Sequence, residues 1–338
     1  MKFLNNILQK QFDFIGIGDI TSDAFIRVKE ANVLCDEKNK KCKICLNFAD
    51  KIPYESVTVV NAVGNSANAS VCASRLGLKS ALVTNIGDDE NGRACVKALE
   101  KENVNTDFIS IQKGKETNYN YLILYEEERT ILSKHREYDY KLPDIGSPRF
   151  VYFSSLGENT LDYHEQVAEY VRAHPEIKFV FQPGTFQIRI GYEPLKKIYE
   201  NSELFFCNKM EAKRILQTNE ENITELLKKM RGLGPKIVVI TDAINGAYVY
   251  DGNDGWKILM YPDIAPPVDR TGAGDAFSAT FTCAIALKKT IQEALTWGPI
   301  NSMSVVQYVG AQEGLLTRDK LEKYLSEAPE YYKPTKII

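Results

Sequence analysis

Apolar residues recur along the chain in short dense runs, separated by amphipathic, polar or Gly-rich stretches. The first run, "FDFIGIGDI", closes in Gly16, Gly18 and Asp19 and predicts a buried strand ending in a turn. "SALVTNIG", "FVYFSSLG", "KFVFQPG", "LFFCN" and "KIVVIT" repeat that texture as further strands. Between them, "NSANASVCASRLG" spaces Ala67, Val71 and Leu76 like a helix with a small-residue face that ends at Gly77. "DENGRACVKALEKENV" reads as an amphipathic helix. Strands alternating with helices predict an α/β fold whose mostly parallel sheet is covered on both faces.

Two stretches break this rhythm. Residues 27–60 mix short β-prone runs with a Lys-rich turn and predict the strands of a protruding hairpin or lid. "TNYNYLILYEEERTILSKH" alternates strongly, and its halves flank an acidic triplet as the arms of a hairpin would. The expectation is one domain over residues 1–338, with a small β-rich lid formed by about 27–60 and 117–134.

The most pointed chemistry lies in "DRTGAGDAF", followed by the small-residue apolar run "AFSATFTCAIAL". Gly272, Ala273 and Gly274 would form a turn into a buried helix, with Asp275 in its first turn. Amides at a helix start have no partner within the helix, and the dipole adds partial positive charge, so an anion is favoured there. A tight turn with a helix-start acid is the plainer alternative. A GxxxxGK[ST] loop is absent, and Gly16-x-Gly18 lacks the third glycine of a dinucleotide fingerprint.

Charge and cysteine content narrow the picture. The net charge of −3 makes no electrostatic case for nucleic acid or an anionic membrane. "MKFLNNILQKQFDF" lacks signal-peptide character, and seven scattered cysteines fit a reducing compartment, so a cytoplasmic protein with reduced thiols is expected. Cys42-x-x-Cys45 has zinc-ligand spacing, Cys35 would be a third thiolate and His135 a distant fourth ligand; reduced thiols on a hairpin are the favoured expectation.

Six segments, in order, resemble the PfkB or ribokinase-like family of sugar and nucleoside kinases across nearly the whole chain: "GIGDITSD", "VGNSANASVCASRLG", "NIGDDENGRACVKALEKENV", "CNKMEA", "ITDAINGAYVY" and "DRTGAGDAF". The resemblance implies a three-layer sandwich and an ATP-dependent kinase, with ATP and Mg2+ as cofactors and K+ as a further candidate. Asp23, Gly64, Asn65 and Asn68 fall at substrate positions. Asn208, Glu211, Thr241, Gly246 and, more weakly, Asn301 fall at nucleotide positions, with Glu211 reaching magnesium through water. Asp269 and Thr271 resemble a monovalent-cation loop, with Asp269 as a simple brace for the turn the alternative. Arg270 would clamp phosphate or face solvent.

On this reading Asp275 accepts the proton of the attacking hydroxyl, and the Gly272–Gly274 amides hold the transferring phosphoryl group. The acceptor is a sugar hydroxymethyl group or, alternatively, a nucleoside, for which Phe25, Tyr119 and Tyr121 would supply aromatic faces. A catalytically silent sugar or nucleotide sensor is the reading from another class. The pattern departs from the family at Val63, Ala243, Gln182 and Gly184, and Ser154, Ser155 and Glu158 do not match the ribokinase ribose site. Pro299 stands where the nucleotide-contacting asparagine is usual, two positions before Asn301. The unpaired lid edges predict a lid-to-lid homodimer.

Overall fold

The computed structural model describes residues 11–36, 41–126 and 128–338. Residues 1–10, the Lys-rich tip at 37–40 and Glu127 of the acidic triplet lie outside the described residues. In chain order the first half comprises β1 (Phe14–Ile17), β2 (Thr21–Val28), β3 (Asn32–Asp36), β4 (Lys41–Cys45), β5 (Tyr54–Val63), α1 (Asn65–Arg75), β6 (Ser80–Gly87), α2 (Glu90–Lys101), β7 (Ile109–Gln112), β8 (Tyr119–Tyr125) and β9 (Glu128–Lys134). Then follow β10 (Phe150–Phe153), α3 (Leu161–Ala173), β11 (Lys178–Phe181), α4 (Thr185–Ile190), α5 (Tyr192–Glu200), β12 (Leu204–Asn208), α6 (Lys209–Ile215), α7 (Ile223–Gly232) and β13 (Ile237–Thr241). The chain closes with β14 (Ala247–Tyr250), β15 (Gly255–Ile258), α8 (Ala273–Ala286), α9 (Ile291–Val305), α10 (Arg318–Ser326) and β16 (Thr335–Lys336).

The main sheet has ten strands, ordered β16-β15-β14-β13-β12-β11-β10-β1-β6-β7. The seven from β7 to β13 are parallel, so their carboxyl ends share one rim; β14, β15 and β16 extend the sheet antiparallel. Alternation along β1 feeds two separate cores. Phe14 packs into the layer that holds α1, α8 and α9, while Ile15 and Ile17 pack into the layer that holds α3, α5 and α7. Gly16 lets α1 lie against the strand, since a Cβ there would sit 2.8 Å from the Ser66 carbonyl oxygen.

The lid is a second sheet in the order β5-β2-β8-β9, and β2 and β8 within it are parallel. Its first strand starts at Thr21, six residues before the expected boundary near 27, because the chain leaves β1 and turns directly into the lid. The polar start "TSD" hides that strand in the sequence: Ser22 and Asp23 are buried polar side chains that hydrogen-bond Asn61 and Asn120. The arms β8 and β9 pair as the predicted hairpin.

A two-stranded ribbon of β3 and β4 extends the lid. Its register sets Cys35 opposite Cys42 with Cα atoms 4.0 Å apart, and the two form a disulfide. This corrects the expectation of reduced thiols. It also removes the Cys42–Cys45 zinc pair, because Cys45 lies across from Asn32 and stays free. Among the described residues no three His, Cys, Asp or Glu side chains converge as a metal-ligand set. His135 instead packs edge-on against Phe186.

Arg75, the last residue of α1, fastens this helix to two other segments. Its Nε and Nη2 donate to both carboxylate oxygens of Glu102 at 2.8 Å, and Nη1 donates to the Gln312 and Leu315 carbonyls at 2.8 Å. Replacing it leaves a half-buried carboxylate and two carbonyls without their donor. Arg75→Met is expected to lower unfolding free energy by about 2–4 kcal/mol, read by urea denaturation.

Candidate active site

The helix start of α8 is the centre of the site. Gly272 precedes it with φ 80°, a left-handed conformation suited to glycine, and an added Cβ would collide with Ala311. Nothing lies within 4 Å of the Cβ position at Gly274, so the turn is open on that side. Asp275 follows in the first turn.

Three side-chain amides converge on the Asp275 carboxylate. Asn65 Nδ2 donates to Oδ1 and Asn68 Nδ2 to Oδ2, each at 2.8 Å, and Gln182 Nε2 donates to Oδ1 at 3.1 Å. Asn65 and Asn68 are one helical turn apart on α1, which places both on the face toward α8. Gly64, with φ 125°, lets that helix begin against the turn after β1: a Cβ there would lie 2.6 Å from the Asp19 carbonyl oxygen. Val63 stays in β5, and its neighbour Ala62 takes the left-handed conformation with φ 56°. Burial raises the pKa of Asp275 and the three amides oppose that rise, leaving it above the ordinary aspartate value.

Gln182 is a partner that the sequence reading marked only as a departure. It stands just past β11, and its Oε1 accepts from the Tyr152 hydroxyl and from Ser278 Oγ at 3.0 Å, so its amide nitrogen is turned toward Asp275. Its position at the carboxyl end of a parallel strand was the available signal.

A second acid lies on the inner face of the lid. Asp23 on β2 accepts from Asn120 Nδ2 of β8 at 2.9 Å, and burial pushes its pKa up to about 6, with nearby Asp269 raising it and Arg129 lowering it. Asp19, at the end of β1, is also buried and pushed up to about 6; it accepts from the Tyr140 hydroxyl and, at 2.7 Å, from the Gly157 amide. Tyr119 and Tyr121 flank Asn120 on the strand and so point to the opposite face of the lid sheet, where they line an open groove with Asp89 and Lys134. Phe25 packs with Leu122 and Leu124 on the inner face.

On the other side of the α8 start lies a cavity of about 420 Å³. Its lining includes Asn208, Thr241, Ala243, Phe277, Ser302 and the turn residues Ala273 and Gly274. Asn208 and Glu211 form a reciprocal cap on α6: the Glu211 amide donates to Asn208 Oδ1 at 2.9 Å, and the Asn208 amide donates to Glu211 Oε2 at 2.8 Å. Burial, then the charge of Asp275, raises the pKa of Glu211. Ala243, in place of a glycine, adopts φ 45°, and Gly246 has φ 95° with the Ile258 carbonyl against its Cβ position.

One expectation changes here. Asn301 does not line the cavity: it is fully buried, donates to Thr280 Oγ1 at 2.7 Å and accepts from the Leu316 amide at 2.9 Å. One residue on, Ser302 takes the lining position, because Asn301 points into the α1–α8–α9 interface. Asp269 acts as a brace. Its Oδ1 accepts from the Thr271 amide and hydroxyl at 2.9 and 2.7 Å, and its Oδ2 accepts from the Gly310 amide at 2.9 Å. Arg270 is exposed.

The family model described as pfkB family carbohydrate kinase matches residues 29–318. The chain is 29% identical to a ribokinase of Bacillus subtilis over 82% of its length and 94% of that protein. An uncharacterized sugar kinase of Archaeoglobus fulgidus is 27% identical over 72% of this chain and 97% of its own. In fold, a nucleoside kinase of Methanocaldococcus jannaschii superposes with a TM-score of 0.74 at 18% identity, covering 94% of this chain and 99% of that one. Arabidopsis thaliana ribokinase complexed with ribose and ATP gives 0.75 at 19% identity, covering 93% and 99%. No helix among the described residues is long and apolar enough to cross a membrane.

The raised Asp23 pKa makes a stability prediction. Ionisation of this acid is harder in the folded than in the unfolded chain, so its contribution is intact below the unfolded value and is lost as pH rises through about 6. Asp23→Asn is therefore expected to be more stable than the parent at pH 8 by roughly 1–3 kcal/mol, with the gain vanishing near pH 4. Urea melts at the two pH values check this, and equal stability at pH 8 would show that Asp23 is not held against ionisation.

Proposed function

Because the chain belongs to the pfkB family of carbohydrate kinases, we propose that it transfers the γ-phosphoryl group of ATP to the primary hydroxymethyl group of a sugar. The observation that carries this reading is the Asp275 carboxylate, held by Asn65 and Asn68 directly after the Ala273–Gly274 turn that lines the cavity. In this proposal the nucleotide occupies the cavity, with its terminal phosphate at the Gly272–Ala273–Gly274 turn. The sugar lies between Asp23 and Asp275, its hydroxyls taking over donors now spent on the carboxylate. Asp275 accepts the hydroxyl proton as the O–P bond forms, the turn amides hold the phosphoryl oxygens, and ADP leaves.

Glu211 and Asn208 would hold, through its water shell, the magnesium that accompanies the nucleotide and neutralises phosphate charge. The charge of Asp275 raises the Glu211 pKa, and a cation placed between these two acids would relieve that repulsion. Three donors already occupy Asp269, so a potassium ion at Asp269 and Thr271 would rest mainly on main-chain oxygens.

The nucleoside alternative keeps one of its three aromatics, Phe25, on the inner lid face, while Tyr119 and Tyr121 face away from Asp23. The intact turn and acid disfavour a silent sensor. An ADP-release assay over a panel of sugars and nucleosides tests the reading, and transfer only to nucleosides, or to nothing, overturns it. In the same assay Asp275→Asn is expected to lower turnover by about 10²–10⁴ while acceptor affinity changes only a few-fold.

The lid also supports a homodimer. In register across its four strands, Val59, Ala24, Tyr121 and Leu132 form a row on the outer face, and Val59, Tyr121 and Leu132 are each about half exposed. We expect a second lid to cover this row. Light scattering over a dilution series should report a dimer, and Tyr121→Lys should yield the monomer.

A further inference from the structure

One charge on the lid has no part in the reading above. Arg129 lies on β9 opposite Leu124 of the inner lid cluster, and its Nη1 reaches to 3.7 Å from Asp269 Oδ1. Asp269 is 7% exposed, and its charge acts on Asp23, a second buried acid of the lid. Two neighbouring buried carboxylates repel unless a cation stands by them, and Arg129 is the cation that acts on both. It is brought there by the lid.

Asp269 in turn connects to the α8 turn by two routes. Through Oδ1 it holds the amide and hydroxyl of Thr271, the residue before Gly272. Through Oδ2 it holds the Gly310 amide, and the next residue, Ala311, packs against Gly272, whose Cβ position lies 2.6 Å from the Ala311 Cα. Val60 and Phe25 of the lid close on Gly310 from the other side, 3.2 and 3.7 Å from its Cβ position. Lid, brace and turn are thus in continuous contact.

We propose that Arg129 is a positioning residue, the counter-ion shared by Asp23 and Asp269, which makes seating of the lid over the acceptor and setting of the Gly272–Gly274 turn a single event. The proposal rests on the kinase reading. An acceptor bound at Asp23 holds the lid in this seated position, with Arg129 at Asp269 and with Thr271 and Gly310 fixed on either side of the turn. Phosphoryl oxygens then meet aligned amides only when the acceptor hydroxyl is covered, which protects ATP from water.

The test compares Arg129→Met with Arg129→Lys in the full chain. With the best acceptor of the panel, Arg129→Met should raise acceptor KM and lower kcat, each by about tenfold, and should raise the fraction of ATP hydrolysed without transfer. Arg129→Lys, which keeps the charge, should recover most of kcat. Without any substrate, hydrogen exchange in Arg129→Met should quicken at residues 119–134 and also at 269–275. A kcat within twofold of the parent, a lysine variant no better than the methionine one, or exchange that quickens in the lid alone would overturn the proposal. If the parent transfers phosphate to no sugar or nucleoside, the kinase reading fails by itself, and the exchange pattern still decides whether Arg129 couples lid to turn.

Discussion

A carboxylate removed from water at the start of a helix must be supplied with hydrogen-bond donors or be given up to protonation. Asp275 is supplied by Asn65 and Asn68 of α1 and by Gln182 beyond β11. Those three contacts fix the relative placement of two helices and a strand end that are far apart in sequence. Around them, Tyr152 and Ser278 orient Gln182, and the Gln312 amide donates to Asn68 Oδ1 at 2.9 Å. The polar network therefore serves both to satisfy a buried charge and to hold it at one position on the rim.

That position follows from the main sheet. With β1, β10, β11 and β12 parallel, the segments leaving their carboxyl ends all emerge on one side: Asp19, the Ser154–Gly157 loop, Gln182 and Asn208. On this rim Ala273 and Gly274 of the α8 turn line the cavity, and Asp23 is held by Asn120 within the lid. Helix α8 is lined with small residues and packs closely on both α1 and α9, so the turn at its start is anchored from behind by the apolar core.

The lid has to combine cover with access. Its inner face presents a small apolar cluster of Phe25, Leu122 and Leu124 beside two acids, and its outer face leaves apolar side chains half exposed. The Cys35–Cys42 bond ties the ribbon across its own register, at a distance from the acids. The sheet joins the core through the segments flanking β2, β5, β8 and β9, and the Arg129–Asp269 pair is its contact with the brace beside the turn.

The sequence by itself determined the repeating core. Short apolar runs at regular spacing form strands because each is buried on both faces, and Gly272 opens the turn because its left-handed conformation and the nearness of Ala311 leave no room for a Cβ. Asp275 could be named from its helix-start position, and Asn65 and Asn68 from the resemblance of "VGNSANASVCASRLG" to a family signature. Tertiary structure alone decided the rest. Thr21–Val28 became a lid strand because Asp23 finds Asn120 across a boundary that a polar start conceals. Cys35 met Cys42 through strand register, and Asn301 turned into a helix interface so that Ser302 faced the cavity. Gln182 and Arg129 gained their partners from segments about 90 and 140 residues away, and no local pattern encodes such pairings, since they arise only when packing brings buried charges within reach of donors.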